Sequence, residues 1–233
     1  MCVIAWAWRV HPRYPLAVLA NRDESHARAS APLDWWTDAP ALLAGRDLEA
    51  GGTWLGVTRS GRFAAVTNRP GPKPPAAPSR GDLTREFLLA SANTDAAIAA
   101  LAPKAERYAG FNLLLGDGET LAFGSNREAN REPTPGIHGM ANGALDEAAP
   151  KVAELTTLLD AWCETGDEPQ PDDWLARLGD DADAVFVRGA EYGTRSSSVV
   201  IFGADRSVRF IERSYDAAGR ALGTAAFDFG IES

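Results

Sequence analysis

A chain of 233 residues with 45% apolar content can bury a substantial core, which excludes a disordered polymer. Its 32 acidic residues outweigh 23 basic ones, for a net charge of −9 and a pI near 4.9. That balance excludes a nucleic-acid binder built on a basic surface, and a protein held to anionic membranes by charge.

The two cysteines, Cys2 and Cys163, are too few for a disulfide framework. No stretch approaches the ~18 consecutive apolar residues of a membrane-spanning helix. The opening "MCVIAWAWRVHPRYP" has no positive segment ahead of its apolar run, so it does not read as a secretory signal. A cytoplasmic location is the expectation.

In chain order, residues 2–10, "CVIAWAWRV", read as a buried strand. "HPRYP" reverses the chain, and "LAVLA" is a second strand, giving a β-hairpin over residues 2–21. Residues 26–44, with Trp35 and Trp36, read as irregular. A hairpin spans 51–71, its strands Thr53–Thr58 and Arg62–Thr67 flanking "RSG", with Gly51-Gly52 easing the chain into it. The proline-rich segment 70–81 disfavours both helix and strand. Asp82 reads as the cap of a helix "LTREFLLASA", and Thr94 or Asp95 as the cap of a second, ended near Pro103. A hairpin follows at 111–126, then a short strand at 136–143. Amphipathic helices are expected at 145–164 and 171–180, the latter opened by Pro171. A hairpin at 195–215 and a terminal strand "TAAFDFGI" complete the chain. Short turns between strands, with helices grouped between hairpins, point to an α+β protein with antiparallel sheets in layers.

Cys2 is the sharpest chemical feature. With Met1 removed, its thiol and α-amine sit on adjacent carbons of one residue, a nucleophile and a base with ordinary pKa values of roughly 8.5 and 7.7–8.0. The plain alternative is a small buried hydrophobe that begins a core strand. Antiparallel pairing within the first hairpin brings residue 2 opposite residues 21–24, "NRDE", beside Arg22 and Asp23. A guanidinium there lowers a thiol's pKa, and a carboxylate can accept from the α-amine. Adjacent residues on a strand face opposite ways, so Arg22 and Asp23 reach Cys2 together only if the strand's alternation breaks. His11, His26 and His138 lack metal-ligand spacing, and Cys163 falls on an amphipathic helix as a core residue.

An initial "MC" followed by "ANRDE" resembles the NRDE family, also called the transport and Golgi organization protein 2 family. "GGTWLGVTRSGRFAAVTNRP", "RGDLTREFL", "YAGFNLLLGDGETL", "GIHGMANGALDEAAPKV" and "GTRSSSVVI" resemble its later blocks, in order. The resemblance implies one domain over residues 1–233 with an N-terminal-nucleophile (Ntn) hydrolase-like fold, a four-layer αββα sandwich. It implies kinship with cysteine amidases that cleave non-peptide carbon–nitrogen bonds. The matching site residues are Cys2, Arg22, Asp23, Asn68, Asn142 and Arg195, the Asn side chains as oxyanion donors and Arg195 for a substrate carboxylate or the thiol. Such a hydrolase requires no cofactor and takes a small-molecule substrate. The alternative the resemblance implies is a non-catalytic carrier of a hydrophobic ligand such as haem, with Cys2, His11, His26 or His138 as candidate axial ligands.

Overall fold

A computed structural model describes residues 2–180 and 184–232. The chain divides into two compact units. One is formed by the N-terminal segment to Arg28 together with Thr134–Gly230, the other mainly by Ala29–Pro133.

The first unit holds a six-stranded antiparallel sheet. Its strands are β1 (Val3–Trp8), β2 (Leu16–Ser25), β9 (Gly136–Met140), β10 (Tyr192–Phe202), β11 (Ser207–Tyr215) and β12 (Ala221–Gly230), in the order β12-β11-β10-β2-β1-β9. Helices α3 (Pro150–Thr165) and α4 (Pro171–Leu178) cover one face. Alternation decides which side chains meet them: Val3, Ala5, Ala17 and Leu19 pack in one core with Leu155, Leu159, Trp174 and Leu175. The small alanines let the helices approach closely. Ile4, Trp6, Val18 and Ala20 point to the opposite face and are equally buried.

The second unit repeats the plan. Strands β3 (Ser30–Trp36), β4 (Ala39–Asp47), β5 (Leu55–Thr58), β6 (Phe63–Asn68), β7 (Phe111–Gly116) and β8 (Leu121–Ser125) pair antiparallel in chain order. Helices α1 (Gly81–Leu89) and α2 (Thr94–Leu101) bury Leu83, Phe87 and Leu101 against Leu42, Val66 and Leu113. The Arg62 guanidinium closes the end of α1 by donating to the carbonyls of Phe87 and Ala92.

The segment 26–44, expected to be irregular, instead forms β3 and runs into β4. β3 is an edge strand, where Pro32 removes no needed ladder bond and two register shifts against β4 blur the alternation. Asp82 is not the cap of α1. Arg80 stands at that position without a side-chain cap, and Asp82 lies in the first turn, where its charge suits the helix dipole. Asn93, rather than Thr94 or Asp95, caps α2 by accepting from the Ala96 amide at 2.9 Å. α3 starts at Pro150, five residues later than expected, because proline suits a helix's first turn and not its interior.

The paired glycines do different jobs. Gly51 has φ +75°, whereas a Cβ on Gly52 would sit 2.7 Å from the Gly81 backbone at the start of α1. Gly52→Ala is therefore expected to cost about 1–3 kcal/mol by forcing that backbone apart, and Gly51→Ala about 1–2 kcal/mol through strain alone. Urea unfolding of both variants checks this; a Gly52→Ala chain as stable as the parent would contradict the close approach.

Candidate active site

Asn21-Arg22-Asp23-Glu24 is not a turn. β2 runs through it to Ser25, held by β1 on one side and β10 on the other. Val3 pairs with Asn21, so the register carried one residue further sets Cys2 against Arg22. Val3, Asn21 and Ser197 share the helix-covered face, whereas Arg22 and Ser196 share the other. The expected divergence of Arg22 and Asp23 is what the strand produces.

Asn21 is wholly buried, and its Nδ2 donates to the carbonyls of Leu178 at 2.8 Å and Val185 at 3.3 Å. It ties β2 to the end of α4. The Asp23 side chain is buried and gripped at both oxygens: Thr194 Oγ1 donates to Oδ1 at 2.7 Å, and Lys151 Nζ to Oδ2 at 2.6 Å. Its backbone carbonyl accepts from the Tyr192 hydroxyl at 2.7 Å and the Cys2 thiol at 3.7 Å. Carbonyl oxygen has two lone pairs, so both donors fit. Asp23 thus reaches Cys2 through its backbone, while its carboxylate anchors the strand.

Cys2 is partly buried. Burial pushes its thiol above the ordinary range, the Asp23 carboxylate adds to this, and Arg22 only partly opposes it. Arg22 alone does not activate the thiol. Burial also pushes the Tyr192 phenol up, reinforced by the charges of Cys2 and Asp23. Arg22 lies 3.9 Å from Glu24, two residues on along the same face.

Arg195 occupies the register shift in β10 between Thr194 and Ser196. Its Nη1 donates to the carbonyls of Ser25 at 3.0 Å, His26 at 3.1 Å and Arg28 at 3.3 Å. Burial and nearby Arg22 lower its pKa. In this position it organises the chain leaving β2. Asn142 lies two residues past Met140, which pairs with Ile4, so it falls at the Cys2 end of the sheet. Asn68 is in the second unit, exposed at the end of β6, paired with Phe111.

The histidines are engaged in structure. His11 stacks on Trp162 at 4.6 Å and accepts from the Arg13 amide. His26 Nε2 meets the Gly189 carbonyl, and His138 lies between Asp146 and the Thr134 carbonyl. No cluster of three His, Cys, Asp or Glu suited to a metal ion exists among the described residues. Among them, too, no helix is long and apolar enough to cross a membrane.

Lys151, Tyr192 and Thr194 were not singled out from the sequence. The cation in the first turn of α3 is the one local signal, since the dipole there disfavours it. The other two come together only through the β2–β10 register. If Asn21 is purely structural, Asn21→Ala should cost about 1–3 kcal/mol and leave alkylation of Cys2 in the folded protein unchanged. Thermal unfolding and peptide-mapped labelling read the two effects separately.

Residues 1–217 match the family model described as Transport and Golgi organisation 2. The mouse and human Transport and Golgi organization 2 homologs are each 30% identical over 277 residues, spanning 100% of this chain and of theirs. Among solved structures, the C2A mutant of conjugated bile acid hydrolase from Clostridium perfringens is similar at a TM-score of 0.58. It is 8% identical, with 98% of this chain and 92% of that one covered. A Caenorhabditis elegans N-acylethanolamine-hydrolyzing acid amidase ortholog has a TM-score of 0.54 at 10% identity, over 86% and 92%. These likenesses show an Ntn-hydrolase-like fold, which the described residues form with two antiparallel six-stranded sheets and four α-helices. With its sequence matched along nearly its whole length, this chain belongs to the Transport and Golgi organisation 2 family.

Proposed function

We propose that the chain is an N-terminal-cysteine amidohydrolase acting on carbon–nitrogen bonds other than peptide bonds. The observation that carries the reading is the junction at Asp23: the Cys2 thiol and Tyr192 hydroxyl meet on its carbonyl, while β10 and α3 hold its carboxylate. A nucleophile held at a strand end by a rigid support is what acyl transfer needs. The two structural neighbours are both named as hydrolases, one of conjugated bile acids and one of N-acylethanolamines, and this supports the reaction class.

The reaction begins with removal of Met1, which frees the α-amine of Cys2. The amine takes the thiol proton, and sulfur attacks the amide carbonyl carbon. The carbon–nitrogen bond breaks as the ammonium returns its proton to the leaving amine, leaving a thioester on Cys2. Water, deprotonated by the same amine, then attacks the thioester and releases the acid and the thiol. Asn142, at the Cys2 end of the sheet, serves as the oxyanion donor in this reading. The same role for Asn68 rests on the family resemblance. Arg22 supplies positive charge beside the sulfur, and Arg195 keeps the end of β2 in place.

The free ring nitrogens of His11 and His26 are buried, and both nitrogens of His138 face acceptors.

Because burial and Asp23 raise the thiol pKa, the form retaining Met1 should alkylate at Cys2 no faster than free cysteine at neutral pH. The Met1-free form should label several-fold faster. Intact mass combined with peptide-mapped labelling tests both forms. A panel of N-acyl amides should yield an acyl adduct on Cys2 in the processed chain, none in Cys2→Ala, and a slower reaction in Cys2→Ser. Retention of Met1 in every preparation, with ordinary labelling, would sink the proposal.

A further inference from the structure

Lys151 is the second residue of α3, where the helix dipole disfavours a cation. Its ammonium nevertheless lies 2.6 Å from Asp23 Oδ2, with the carboxylate side chain fully buried. Thr194 holds the other oxygen, and the carbonyl of the same residue receives the Cys2 thiol. A helix, a central strand and its neighbour therefore converge on a residue whose backbone carbonyl accepts from the nucleophile. Burying two charges is costly, and well-packed apolar residues would fill the same space without that cost. The pair therefore points to a role beyond packing.

We propose that Lys151 is a positioning residue for Cys2. Through its ion pair with Asp23 it locks the end of β2 against the thiol, and it offsets the carboxylate's field at the sulfur. Its significance for catalysis rests on the hydrolase reading, but its effect on thiol acidity is measurable without turnover. The charged and titratable groups around the sulfur and its support are the N-terminal amine, Arg22, Asp23 and Glu24 on β2, Tyr192 and Arg195 on β10, and Lys151 on α3, which acts through Asp23. The Asp23 carboxylate opposes thiolate formation, whereas the contact with its backbone carbonyl, the N-terminal charge and Arg22 favour it. Lys151 carries the charge opposite to Asp23, so its loss leaves more of the negative field at the sulfur and makes the thiol a weaker acid.

The test is the pH profile of iodoacetamide labelling at Cys2 in the full chain, read on the Cys2 peptide so that Cys163 does not contribute. Lys151→Gln retains a donor to Asp23 and loses the charge. Its labelling midpoint should move up by about one pH unit, about tenfold slower labelling below the midpoint. Lys151→Arg keeps the charge and should retain the parent midpoint. A folded Lys151→Gln chain with an unmoved midpoint overturns the proposal. Should that variant fail to fold, Asp23→Asn is compared with Asp23→Asn/Lys151→Met, since neither leaves a buried carboxylate without its partner. The double variant should again titrate higher, and coincident profiles overturn the proposal. Parent labelling no faster than a free thiol, with no amide turned over, would defeat the hydrolase reading instead and leave the comparison between variants intact.

Discussion

Antiparallel pairing of β2 with strands on both sides governs what each residue of Asn21-Arg22-Asp23-Glu24 can do. A central strand has no freedom to slip, because a shift by one residue would exchange its two faces. The register sends Asn21 and Asp23 to the helices, and Arg22 to the face of Ser196. Three of these four consecutive polar residues thereby acquire separate tasks: Asn21 anchors α4, Asp23 anchors α3, and Arg22 places charge near Cys2. The register shift at Arg195 lets β10 continue along β2 past this point, and the extra residue closes over the carbonyls of Ser25, His26 and Arg28.

Pairing matters in such a place, since an unmatched donor, acceptor or charge away from water costs far more than a matched one contributes; Asn21 Oδ1 is buried there without a hydrogen-bond partner. The junction around Asp23 is paired by a hydroxyl, an ammonium, a phenol and a thiol. The consequence for Cys2 is a tension. Burial and a neighbouring carboxylate hold the proton on sulfur, and Arg22 only partly offsets them. Chemistry at this sulfur therefore calls for a base within reach, and an α-amine on the adjacent carbon of the same residue is the closest arrangement available.

Much of the framework was legible in the sequence because it follows from local pattern. The β1–β2 hairpin, the hairpins at 51–71 and 111–126, and Pro171 opening α4 are set by alternation and turn residues. The placement of Cys2 beside Arg22 followed from counting residues around that first turn. β3 was not legible. Its two register shifts and Pro32 break the period-two pattern, and its strand character comes from pairing with β4. The caps of α1 and α2 were displaced by a residue or more, because several polar residues near each start compete for the same amides.

By itself, the sequence determined that this is an acidic α+β chain with antiparallel sheets, and that its Cys2 and NRDE residues meet across a hairpin. These are consequences of composition and of contacts between near neighbours along the chain. Only the tertiary structure decided that β2 is flanked on its other side by β10, which brings Tyr192, Thr194 and Arg195 to the site. It also decided that α3 delivers Lys151 to Asp23 across 128 residues of chain. Such long-range partners are selected by the collective packing of helices and sheet, and no local spacing encodes them.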